Sequence, residues 1–248
     1  MNTPYPHIVR AFDQELAALG ASIEAMGNFA AAQFSDAVTA LLNRDLLLAQ
    51  RVIDQDRELD ALRRDVSSAA ATVITKRQPI ASDLNEVLAD FRISEDLERV
   101  GDLAKNTAKR AMAIANRVFP EDITAHLQAF GEAASAQLRT ALTAYIHRDA
   151  EQALLAREQD EALDRLHTEV FRELVSRTSG DQAQVVGFVH LLFCAKNIER
   201  VGDHAAHIAE AAHLLATGRL PDGERRRLDE SSSITGDTFL DAVLDIKH

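Results

Sequence analysis

Eight carboxylates recur in a pattern that could bind cations. Asp56 and Asp60 are four apart, as are Glu98 and Asp102, and the same two pairs return as Asp160 with Asp164 and Glu199 with Asp203. Residues at i and i+4 share one face of a helix, so each pair aims one way. Carboxylates about 4 Å apart repel by on the order of 4 kcal/mol per pair at an effective dielectric of ~20. Protons, Arg or Lys neighbours, water or a cation must answer that charge. Oxygen donors of this kind suit Mg²⁺, Mn²⁺, Ca²⁺ or iron. Two readings therefore stand side by side: a solvated acidic face with loose ion pairs, and a metal-ligand set. His207, four residues after Asp203, could add a nitrogen ligand or lie idle on the surface, and His204 is less well aimed.

The elements that must carry these residues follow from an internal duplication. At an offset of 104, Ala40, Arg44, Asp45, Ala49, Gln55, Asp56, Leu59, Asp60 and Leu62 meet identical residues. Upstream, Ile23, Met26, Ala30, Phe34, Ala37, Val38 and Leu41 meet Leu127, Phe130, Ala134, Leu138, Ala141, Leu142 and Tyr145 at steps of three and four, the spacing of one helix face. Further on the offset is 101, and Glu98-Arg99-Val100-Gly101-Asp102 returns as Glu199-Arg200-Val201-Gly202-Asp203. The change of offset must fall in a loop, and Pro79 and Ser179-Gly180-Asp181 mark the place.

Each copy reads as three helices. They are expected over 8–43, from Asp45 as an N-cap onward, and over 81–117; in the second copy over 122–147, 149–178 and 182–217, with Asp149 the matching cap. In an antiparallel hairpin of the second and third helices, Asp60 stands level with Glu98 and Asp56 with Asp102 about a centre at Pro79. Asp164 then meets Glu199, and Asp160 meets Asp203, about a centre between Gly180 and Asp181. The apolar stripe Ile93, Leu97, Val100, Ala104, Ala108, Ala111 lies 100–160° from the acids, which places them in a groove or on a surface and in line with Leu84, Leu88 and Phe91. Gly101 and Gly202 fit either a close helix crossing or backbone room beside a ligand.

Composition agrees with an all-α fold of two tandem pseudo-symmetric three-helix bundles, six helices in all. The 248 residues are 5% aromatic, hold 10 Gly and 5 Pro, and show no convincing strand. The division expected is 1–119, 120–218, and a loose tail over 219–248 with a short helix near 237–246. A net charge of −12, with no run of Lys or Arg longer than Arg225-Arg226-Arg227, speaks against gripping nucleic acid or anionic lipid. The N-terminus does not read as a signal peptide, and no stretch reaches the ~20 apolar residues of a membrane span. The single cysteine, Cys194, allows no intrachain disulfide and reads as core. A di-iron bundle needs Glu-x-x-His twice, and Glu210 to His213 supplies it once. An iron-handling bundle, storage protein or oxidase, is the alternative this leaves.

The two ERVGD boxes, Phe193 to Asp203 as a whole and the turn Lys76-Arg77-Gln78-Pro79 together resemble the PhoU family, over about residues 7–217. The resemblance implies a cytoplasmic, non-enzymatic adaptor, often dimeric. It would couple the phosphate ABC transporter, through its ATPase subunit, to a sensor histidine kinase and repress the phosphate-starvation response when phosphate is plentiful. It also implies iron, zinc or other divalent metal ions on the ligand candidates Asp56, Asp60, Glu98, Asp102, Asp160, Asp164, Glu199 and Asp203.

Overall fold

The computed structural model describes residues 5–178, 182–223 and 228–234. They form six helices: α1 Tyr5–Asn43, α2 Leu46–Arg77, α3 Ser82–Ile114, α4 Glu121–His147, α5 Ala150–Ser176 and α6 Gln182–Thr217, with a short 3₁₀ turn at Ser231–Ser233. No strand occurs among the described residues. The expected spans hold to within three residues. The expected turn at Ser179-Gly180-Asp181 and the short helix near 237–246 lie outside the described residues.

The same tight turn is built twice. Arg44 and Arg148 take left-handed backbone at φ 56° and 53°, and the next residue's N–H reaches back to the carbonyl of Ala40 or Ala144 at 3.0 Å. That closes the outgoing helix. Asp45 and Asp149 then cap the following helix, each accepting from two backbone N–H groups. The α2–α3 turn centres on Pro79, with Gln78 also left-handed.

Both predicted apolar faces on α1 and α4 are buried throughout, as is the whole α3 stripe from Ile93 to Ala111. Each fully buried Phe or Leu among them contributes about 1.5–3 kcal/mol. Within a copy the three helices pack on each other, α1 with α2 and α3, α4 with α5 and α6; between copies α3 packs on α6 and α1 on α4. The second contact is symmetric in detail. A Cβ on Gly27 would meet Leu142, and one on Gly131 would meet Val38, its equivalent 104 residues earlier. Of the apolar residues in line with the α3 acids, Leu84 is partly buried, whereas Leu88 and Phe91 are each 39% exposed.

Candidate functional site

Close packing sets the register of the α2–α3 hairpin. A Cβ on Gly101 would lie 2.1 Å from Leu59 Cδ2, and one on Gly202 would lie 2.0 Å from Leu163 Cδ2. Both glycines therefore serve close helix crossings. Beside them Gln33 Nε2 donates to the Val52 carbonyl at 3.0 Å, and Gln137 Nε2 to the Ala156 carbonyl at 3.1 Å. These buried glutamines are repeat equivalents at the offset of 104 and tie the first helix of each copy to the second. Nothing in their type alone marks them; their recurrence in both copies does.

In the first copy Asp56 and Asp102 face each other as the hairpin register requires. Lys105 Nζ bridges them, 2.7 Å from Asp56 Oδ2 and 2.6 Å from Asp102 Oδ1. Burial, then the neighbouring Asp102 charge, push the Glu98 carboxyl up; Asp60 adds to this and Arg99 opposes it. Glu98 Oε2 is buried without a hydrogen-bond partner. Arg99, which helix geometry alone would turn away, folds back to 3.5 Å from both Glu98 and Asp102. One turn on, Arg63 pairs with Glu95 at 2.9 Å.

The second copy is built differently. Asp160, Asp164 and Glu199 are buried there, contrary to the open groove expected from α3 periodicity. Gln137 Nε2 donates to Asp160 Oδ1 at 3.2 Å. Lys196 Nζ lies 2.9 Å from Glu199 Oε2 and 3.3 Å from Asp229 Oδ2. Burial raises the Glu199 carboxyl, Lys196 opposes that, and Asp203 and Asp229 add to it.

The cover over these acids comes from residues 228–234, which the sequence assigns to a loose tail. The Leu228 N–H donates to Asp164 Oδ2 at 2.6 Å, and the Glu230 N–H to Thr168 Oγ1 at 3.1 Å. Asp229 Oδ1 lies 3.0 Å from Nδ1 of His167, a buried ring between Phe130 and Phe171. The repeat explains why an acid docks here. Arg63 and Glu95 of the first copy correspond to His167 and Lys196 of the second. Two basic side chains stand where the first copy has an ion pair, and the tail supplies the missing carboxylate. Burial works against that carboxylate, but bonds from Ser231 and the charge of His167 outweigh it and hold Asp229 at about 2.

The donor chemistry of the two acid groups suits a hard cation, but as they stand the residues do not fit one. Lys105 occupies the space between Asp56 and Asp102, and Lys196 rests on Glu199. Among the described residues, one trio of His, Cys or carboxylate groups has ligand atoms mutually within 4.8 Å, and it lies elsewhere: Asp96, His204 and His207, at the α3–α6 contact. His207 Nδ1 stands 3.5 Å from Asp96 Oδ1. The single Glu-x-x-His is divided between two structural tasks: Glu210 pairs with Arg157 at 3.5 Å, and His213 Nδ1 lies 2.9 Å from the Arg219 carbonyl. Cys194 is buried, and burial pushes its thiol up to about 12, which makes it inert.

Sequence reasoning missed Lys105, Lys196 and Asp229, each of which takes its role from a partner on another element. It also missed Asp90, fully buried on α3, which accepts a 2.6 Å hydrogen bond from the Tyr145 hydroxyl on α4. The equivalent positions in the other copies are Leu191 and Leu41, so periodicity there predicts only an apolar contact.

Comparison with known proteins bears on both repeats. A family model described as PhoU domain matches residues 23–111 and again 127–212. A phosphate-specific transport system accessory protein PhoU homolog of Rhizobium meliloti is 46% identical over 230 residues, covering 93% of this chain and 97% of the relative. A homolog of the same description from Caulobacter vibrioides is 38% identical over 223 residues, covering 90% and 97%. The crystal structure of PhoU from Pseudomonas aeruginosa superposes with a TM-score of 0.81 at 30% identity, over 84% of this chain and 100% of that one. That of the phosphate transport system regulatory protein PhoU from Streptococcus pneumoniae gives 0.77 at 26%, over 86% and 100%.

Proposed function

The chain belongs to the PhoU family, and on that premise we propose that it is the accessory regulator of a phosphate-specific transport system, coupling the transporter's ATPase subunit to a sensor histidine kinase and repressing the phosphate-starvation response when phosphate is plentiful. The observation that carries the reading is the end-to-end match to an accessory protein of that system, with both repeats kept. The molecule suits an adaptor. Its long helices expose apolar side chains at helical spacing, Leu88 and Phe91 on α3 and Val186, Val189 and Phe193 on α6, the pattern by which helix faces seat partner helices. None of the described helices is long and apolar enough to cross a membrane; on this reading the chain docks on the transporter from the cytoplasmic side. Its partners on this reading are the ATPase subunit, the kinase and a second copy of itself.

The test is complementation. In a bacterium lacking its own family member, expression of this chain restores repression of a phosphate-starvation reporter in high phosphate, and the purified chain captures the ATPase subunit and the kinase's cytoplasmic region. A reporter that stays fully on while the folded protein accumulates refutes the reading.

A further inference from the structure

Asp96 projects from α3 towards two histidines one helical turn apart on α6. Its Oδ1 lies 2.8 Å from His204 Nδ1 and 3.5 Å from His207 Nδ1. The two rings stand edge to face with centroids 5.9 Å apart. We propose that Asp96, His204 and His207 form a mononuclear site for a divalent transition metal of the zinc or iron(II) class, joining the two copies where α3 meets α6.

The spacing is right without rearrangement of the helices. Metal–ligand bonds of about 2.0–2.2 Å in a tetrahedron put donor atoms roughly 3.4 Å apart, within the range these atoms span. Two imidazoles and one carboxylate leave further coordination positions open, the donor set of catalytic zinc and non-haem iron(II) centres. The site is also reachable: the side chains of Asp96 and His204 are 20% and 15% exposed, and His207 is 48% exposed.

The duplication argues that this trio exceeds what packing needs. Across the pseudo-twofold relation Asp96, His204 and His207 correspond to Asn197, Leu103 and Asn106. There a neutral hydrogen bond, Asn197 Nδ2 to Thr107 Oγ1 at 3.2 Å, suffices for the same α3–α6 contact. Only one side of the crossing is furnished with metal-ligand chemistry. The site stands apart from the acids of the hairpins and does not rest on the transport reading.

The full-length chain, stripped with chelator, is titrated with Co²⁺ and displaced with Zn²⁺, following visible d–d absorption. One equivalent binds with the spectrum of a nitrogen-containing, low-coordinate site. His207→Gln, at a half-exposed position where the fold survives by circular dichroism, weakens binding at least ~100-fold, since loss of a supporting residue behind a ligand already costs 10–100-fold. Asp96→Asn weakens it likewise, while Asp56→Asn with Asp102→Asn leaves it unchanged. A wild-type chain that takes up no Co²⁺ overturns the proposal. So does binding that survives both His207→Gln and Asp96→Asn, or that disappears with the Asp56 and Asp102 pair instead.

Discussion

Replacing Asp229 by Asn tests whether the tail is held by charge. The carboxylate makes its contacts with His167 at 3.0 Å, Lys196 at 3.3 Å and the Ser231 N–H at 2.9 Å. A carboxyl held at about 2 in place of 3.8 corresponds to on the order of 2 kcal/mol favouring its charged form. The group remains 17% exposed, so solvent screening leaves about 1–2 kcal/mol. Because the docked value is depressed, this stabilisation is complete by pH ~4 and is lost as pH falls towards 2. Burial holds His167 below the ordinary imidazole value, so its charge fades towards neutral pH. Asp229→Asn therefore weakens docking by up to about 5- to 30-fold at pH ~4, and by less at neutral pH, where Lys196 and Ser231 hold the carboxylate. Amide hydrogen exchange reads this directly, since the N–H groups of Leu228 and Glu230 donate to Asp164 and Thr168 only while the segment is docked. Their exchange accelerates by that factor in the variant, and in the wild type between pH 4 and 2 beyond the intrinsic pH dependence. Glu230→Gln is the control. Its partner Arg172 and Glu230 itself are 53% and 69% exposed, and such a pair is worth 0–1 kcal/mol, so exchange changes less than about fivefold. Equal rates in the wild type and Asp229→Asn would refute the reasoning.

Two further outcomes are expected. Gly101→Ala and Gly202→Ala each gain ~1 kcal/mol of helix propensity but drive a methyl to 2.1 or 2.0 Å from a leucine, and overpacking of about 1–3 kcal/mol wins; urea denaturation shows both less stable, and a more stable variant would refute the close-crossing role. Burial raises Asp90 to about 6 despite the Tyr145 hydrogen bond, so its ionisation costs folding free energy that grows as pH rises from ~4 through 6. Asp90→Asn removes that cost, and the gap in melting temperature between variant and wild type shifts in the variant's favour from pH 5 to pH 7.5; a pH-independent gap would refute it.

The sequence by itself determined the helices, the duplication and the hairpin register. Period-3.6 apolar positions must be buried, Asp45 and Asp149 satisfy helix-end N–H groups locally, and Pro79 fixes a turn centre, so short-range chemistry carries all three. It also placed Asp56 opposite Asp102, because index symmetry about a turn is geometry. Only the tertiary structure decided how the acids are answered. Lys105 is 49 residues from Asp56, Asp229 is 62 from His167, and Asp96 is 108 from His204. With 27 Lys and Arg and 39 Asp and Glu in the chain, residue type cannot select which cation meets which acid. That choice follows from helix rotation and from which side chains two packed helices bring within 3–4 Å, and neither leaves a periodic mark in the sequence.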